Sequence, residues 1–378
     1  MAITPTRPGW RRPPTLRDPD PQEERHPSWL ELFFDLCFVA AVAALAADLH
    51  HDPTWGGIVR FCGLFVPVWW AWMGYTWYAS AFDNDDAVFR VSWFAAMGLV
   101  IAMAAGVDTI STGGSGEFAV SYAALQLLLA ALFLRARRHA EGWRGFAGRY
   151  AAGDALGGAI WLASAAVPEP GRYLLWAAGM VVLMGTPPLA VVAYEGKAFD
   201  AAHIAERYGL FTLIVLGESV VAASAALAAA GFDARSGVTA ALGFAVAAAI
   251  WWIYFDSVRW TALGREGLRR SFTWGYGHLL VFAGIAATAV GVHLAADAAQ
   301  HHESLDLPMR AIAAGGLVAY LLALAAIQHV TVERFDLVAG RRLLAAAAIA
   351  ATVAISAPIA LIAALAAIMA VLAFAESG

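Results

Sequence analysis

The chain has 378 residues, 61% of them hydrophobic and only 14% charged, with a mean hydropathy of +0.66. A soluble domain averages about 25% charged and 45–50% apolar residues, so composition excludes a soluble globular protein and defines an all-α integral membrane protein. The net charge of -5, with no strongly basic domain, gives nucleic acid no docking surface.

In chain order, residues 1–28 are rich in Pro, Arg and acid, with no apolar core before Trp29. A disordered cytoplasmic tail is expected there, not a cleaved signal peptide. Apolar runs of about 20 residues, enough to cross a hydrocarbon core, follow near 29–48, 58–79, 87–108, 118–136, 150–167, 172–194, 203–230, 236–256, 273–295 and 309–330. The last run, Leu343 to Ala375, is too long for one straight span, and Ser356-Ala357-Pro358 offers a bend. Splitting it gives about twelve transmembrane helices.

Lys and Arg orient the chain, because cytoplasmic loops carry their excess. With the N-terminus inside, 20 of the 24 basic residues fall on the cytoplasmic side, leaving Arg60, Arg172, Arg235 and Arg310 outside. Trp69-Trp70 and Trp251-Trp252 recur on the second and eighth helices, and the polar loops recur in the same order. We therefore expect two six-helix repeats, 29–194 and 195–378, parallel because each holds an even number of spans.

Four of the carboxylates in the apolar segments stand out. Glu31 and Asp35 lie four residues apart on one face at the start of the first helix, Glu206 begins the seventh, and Glu218 lies about 18 Å further along it, near mid-membrane. Acids at a helix start are explained by capping and by the helix dipole as well as by chemistry. An acid at Glu218 costs at least about 2.5–3.5 kcal/mol unless paired, protonated or hydrated, which marks a functional position. His203 and Glu206 form a possible relay at the inner mouth, with His278 on the ninth helix as a further member. Pro187 and Pro188 remove two donors from the sixth helix and predict a break. Trp69, Trp70, Trp251 and Trp252 are candidate cavity aromatics. His50-His51-Asp52 and His301-His302-Glu303 lack a spacing that fixes a metal, so no metal and no cofactor are expected, and Cys37 and Cys62 are read as unpaired thiols.

The chain resembles the bacterial low temperature requirement A (LtrA) family. The likeness rests on Glu31-Leu-Phe-Phe-Asp35-Leu-Cys-Phe38-Val, on Glu206-Arg-Tyr-Gly-Leu-Phe-Thr-Leu-Ile-Val-Leu-Gly-Glu218-Ser, and on Trp69-Trp70 through Asp83. Cys37 and Tyr208 depart from the expected aliphatic residue and Phe. The resemblance implies a bacterial inner-membrane protein with a link to growth in the cold, and no settled substrate. A shorter likeness, Phe33, Asp35, Phe38, Ala41 and Leu45 in an F-x-D-x-x-F-x-x-A-x-x-x-L register, is to endolysosomal potassium channels built from two six-helix repeats. The leading functional expectation is a transporter or channel for a small ion or solute. A membrane-embedded enzyme acting on a lipid, or a structural or sensory protein, is the alternative.

Overall fold

A computed structural model describes residues 13–16, 27–110, 114–139, 142–191, 201–229, 234–257, 268–332 and 336–377. Twelve α-helices run through them: α1 Trp29–His51, α2 Trp55–Ala81, α3 Ala87–Ile110, α4 Ser115–His139, α5 Arg144–Ser164, α6 Gly171–Val191, α7 Ala201–Ala229, α8 Ala234–Ser257, α9 Leu268–Gln300, α10 Leu307–Val332, α11 Leu337–Ala351 and α12 Pro358–Ser377. Among the described residues, ten helices are long and apolar enough to cross a membrane. The other two, α5 and α7, have 21 and 29 residues, a rise of at least about 30 Å each. The chain is an all-α, multi-pass protein whose surroundings are a lipid bilayer.

Contacts divide the chain into two compact units, Met1–Ala44 with Pro67–Arg207, and Leu45–Val66 with Tyr208–Gly378. Helices α1, α2 and α7 thus contribute to both. The boundary expected between 194 and 195 lies outside the described residues. Within the stretch expected to be an unstructured tail, Thr15–Leu16 (β1) pairs antiparallel with Phe82–Asp83 (β2) after the end of α2.

In the first unit, aromatic residues build the core. Phe34 of α1 packs at 5.1 Å from Tyr75 of α2 and 5.7 Å from Trp93 of α3, and Tyr78 meets Phe133 of α4 edge-on at 5.1 Å. Such edge and tilted arrangements are favoured by the ring quadrupoles. Helices α5 and α6 approach until a Cβ added at Gly153 would lie 2.0 Å from Thr186 Oγ1.

In the second unit small residues bring two helices together. A Cβ on Gly284 of α9 would stand 2.6 Å from the Gly316 carbonyl of α10, so only glycine permits this crossing. Without a hydrophobic force between helices in lipid, this close backbone packing is the main attraction available.

The bend expected near Ser356 is present. After α11 the chain tightens into a 3-10 turn at Thr352–Ala354, and Pro358 opens α12, where its missing N–H costs nothing. The Ser356 carbonyl accepts from Leu305 N at 2.9 Å. Arg342 near the start of α11 pairs with Glu376 at the end of α12 at 2.8 Å, so the two helices run antiparallel, and both are apolar and long enough to cross a membrane.

The break expected at Pro187-Pro188 is not a break. Helical geometry continues through both prolines to Val191. They sit in the last five residues of α6, so the donors they lack are those to the Leu183 and Met184 carbonyls and less than one turn of helix lies beyond them to be redirected. Thr186 Oγ1 returns a bond to the Val182 carbonyl at 2.8 Å, and Arg149 Nη1 donates to the Leu189 carbonyl at 2.6 Å.

Candidate functional site

Three helices of the first unit each present side chains spaced by four residues, and so on one face. On α1 these are Glu31 and Asp35, on α2 Trp72, Thr76 and Ser80, and on α7 His203 and Arg207. Ser28 fixes the first pair. Preceding α1 in the pattern Ser-x-x-Glu, its hydroxyl oxygen accepts from Glu31 N at 3.3 Å and its proton goes to Glu31 Oε1 at 3.0 Å. The motif is a variant of the capping box, so Glu31 serves the helix start and the site together.

The faces meet at Arg207, a guanidinium with no exposed surface. Its Nε donates to Asp35 Oδ2 at 2.9 Å and its Nη2 to Asp35 Oδ1, a bidentate fork, while Nη1 reaches Glu31 Oε2 at 2.7 Å. Trp72 Nε1 completes Asp35 with a bond to Oδ1 at 2.8 Å. Glu31 and Asp35 are themselves only 2% and 1% exposed, so the guanidinium replaces water for both. The Phe34–Tyr75–Trp93 aromatics pack beside this face and keep it dry.

His203 faces Glu31 Oε2 through Nε2 at 3.0 Å and Ser80 Oγ through Nδ1 at 2.9 Å. Ser80 Oγ also lies 2.8 Å from the Thr76 carbonyl. A hydroxyl has one proton to give, which leaves two self-consistent arrangements. If Ser80 donates to Thr76, His203 Nδ1 must donate to Ser80, and a second proton is held between Nε2 and Glu31. If Ser80 turns to Nδ1, the ring is neutral with its proton on Nε2. Rotation of one hydroxyl therefore changes which ring nitrogen of His203 donates to its neighbour.

The other expected residues are placed separately. Glu206 is half-buried on α7, one residue and about 100° around the helix from Arg207. Trp69 and Trp70 are buried in the first unit. Trp251 and Trp252 belong to the second unit, where they are 49% and 37% exposed and Trp252 Nε1 donates to Asp256 Oδ2 at 2.7 Å. Half-exposed rings of this kind are accommodated by lipid as readily as by protein. His278 is fully buried in the second unit, with Nδ1 2.7 Å from the Trp274 carbonyl and Nε2 3.1 Å from Tyr254 Oη. The carbonyl can only accept, so Nδ1 carries the proton and Nε2 accepts from Tyr254. Rings of Tyr208, Trp274 and Phe282 enclose it. Glu218, also in the second unit, is half-buried and makes no hydrogen bond or ion pair among the described residues.

Arg207 is the cluster member that the sequence does not single out: by charge alone it falls with the cytoplasmic loop cations, although Glu206-Arg207-Tyr208 already sits inside an apolar helix. Its spacing of four from His203 was the signal available, since both then face the same neighbour.

Fold and site together define a multi-pass α-helical membrane protein with a dry ion cluster joining the start of α1 to the start of α7. Residues 26–374 match the family described as Bacterial low temperature requirement A protein (LtrA), and the chain belongs to that family. It is also similar to the uncharacterized protein RA0937 of Rhizobium meliloti (strain 1021), at 28% identity over 281 residues, covering 70% of this chain and 68% of the relative.

Proposed function

We propose that the chain is a proton-linked transporter or channel for a small ion or solute in the bacterial inner membrane, with its N-terminus in the cytoplasm. The observation that carries this reading is the buried cluster of Glu31, Asp35, Arg207 and His203, in which an imidazole lies against a carboxylate in the dry interior. Buried ion clusters add little net stability compared with apolar packing, so a chain that keeps one at the start of two helices has a use for it beyond stability. Glu218 is the proposed intramembrane binding or coupling carboxylate, and Glu206 and His278 complete the proposed pathway set. The distribution of basic residues supports the orientation. Helix order supports the two parallel six-helix repeats.

Proton movement itself is the probe. The purified full-length chain is reconstituted in liposomes loaded with a pH-sensitive dye, and a potassium diffusion potential is applied with valinomycin. We expect proton entry above that of protein-free vesicles, reduced to that level by Glu218→Gln and by His203→Gln. Entry that is the same with and without wild-type protein counts against proton linkage. Full activity in Glu218→Gln removes that residue from the mechanism.

A further inference from the structure

At the opposite end of α1 from Ser28, three side chains of the second unit converge. His50, in the last turn of α1, has Nε2 2.9 Å from Asp297 Oδ2, and His293, one turn before Asp297 on α9, has Nε2 3.9 Å from Asp297 Oδ1. The two imidazoles stack at a centroid separation of 4.2 Å and an angle of 26°. One potential ligand atom from each residue lies within 4.8 Å of the other two. We propose that His50, His293 and Asp297 form a binding site for a divalent first-row transition metal ion of the Zn2+ type.

The donor set decides the class of ion. Imidazole nitrogens with one carboxylate suit Zn2+, Co2+ or Ni2+, whereas Ca2+ and Mg2+ take oxygen ligands. A metal about 2.0–2.2 Å from each donor holds neighbouring donors about 3.0–3.5 Å apart. The two imidazoles lie 2.9 and 3.9 Å from the Asp297 carboxylate, each to a different oxygen, and the three candidate ligand atoms lie within 4.8 Å of one another, so an ion draws them together by turning the two stacked rings toward it. The backbone behind His293 is fixed, because Gly291 packs so tightly that an added Cβ would be 2.3 Å from Ala313 Cα.

Access and competition agree. The three side chains are 25%, 31% and 39% exposed, which gives an ion an entry path and leaves coordination positions for water or a substrate group. Neighbouring acids are already engaged, since Arg60 holds Asp48 at 2.7 Å and Asp52 at 3.1 Å. The adjacent histidines are turned elsewhere: His51 Nδ1 to the Ala47 carbonyl, His301 Nδ1 to the Asp297 carbonyl, and His302 to Arg235. Neither His-His-acid triplet in the sequence is the site. One histidine of the first joins two residues that no spacing in the sequence connects to it.

The full-length chain, freed of any affinity tag and held in detergent micelles, is titrated with Co2+ while visible absorption is recorded. Zn2+ is then added as competitor. We expect one equivalent of Co2+ with nitrogen–oxygen ligand-field bands, displaced by Zn2+. Affinity should fall about a hundredfold or more in His293→Gln and in Asp297→Asn, since losing even a group behind a ligand costs about 10–100-fold. His51→Gln and His301→Gln should bind as wild type does. Zn2+ should also raise the melting temperature of wild type and not of the two ligand variants, whose near-isosteric side chains keep the fold testable. No Co2+ bands in wild type, or equal affinity in His293→Gln and Asp297→Asn, overturns the proposal.

Discussion

Two buried arginines of this chain do different things, and the acids around them explain why. Arg342 in the second unit faces one carboxylate, Glu376, through two bonds of 2.8 and 2.9 Å, and gives a third to the Leu324 carbonyl at 3.2 Å. That set is neutral and lies where α11 begins and α12 ends. It acts as a staple that closes the C-terminal hairpin. Arg207 in the first unit faces two carboxylates and, through Glu31, an imidazole. That set ties the start of α1 to the start of α7 through one shared guanidinium and holds an imidazole against a carboxylate. A single pair closes a hairpin, while a shared guanidinium makes two acids depend on one residue.

The largest expected effect tests the comparison directly. Arg207→Met leaves two dry carboxylates facing each other and should cost about 3–5 kcal/mol, the range for breaking a buried pair by removing one partner. Arg342→Met should cost about 1.5–3 kcal/mol, the loss of charged hydrogen bonds, because Glu376 is one residue from the end of α12 and can rehydrate. Unfolding of the two variants in mixed micelles measures both. Equal losses would mean that Arg207 is also only a staple.

A smaller and more specific effect follows at Asp35. Asp35→Asn in the wild-type background breaks the bidentate fork, but in the Arg207→Met background it removes a charge that is already unpaired. The double variant should therefore be more stable than the two single losses predict, by about 1–3 kcal/mol, the coupling found for residues of one network. Additive losses would place the arginine's main interaction elsewhere.

How much of this was legible in the sequence depends on the length scale of each signal. Helices were readable because membrane crossing demands about 20 apolar residues, and even the bend at Ser356-Ala357-Pro358 followed from length and proline chemistry. Glu31 and Asp35 were readable as a pair because they share one helix. Arg207 was not, since its partners lie 172 and 176 residues away, and charge alone does not distinguish a loop arginine from one that turns inward. The convergence of His50 with Asp297, 247 residues apart, was hidden for the same reason. Pro187 and Pro188 misled because position within the helix, not proline count, decides whether a chain breaks.

The smallest predicted change in stability bears most sharply on the contacts of His203. Ser80→Ala removes the hydroxyl that bonds His203 Nδ1 and the Thr76 carbonyl, and should cost only about 0.5–1.5 kcal/mol, because the Thr76 carbonyl keeps its place in α2. With the hydroxyl gone, Nδ1 loses this bond, and the ring should favour the tautomer that carries its proton on Nε2, toward Glu31. Nitrogen-15 spectra of histidine-labelled protein in micelles at one fixed pH would read this as a changed His203 ring signal, and Ser80→Thr, which restores the hydroxyl, should return the wild-type signal. Identical His203 signals in wild type and Ser80→Ala would show that the hydroxyl does not set the tautomer.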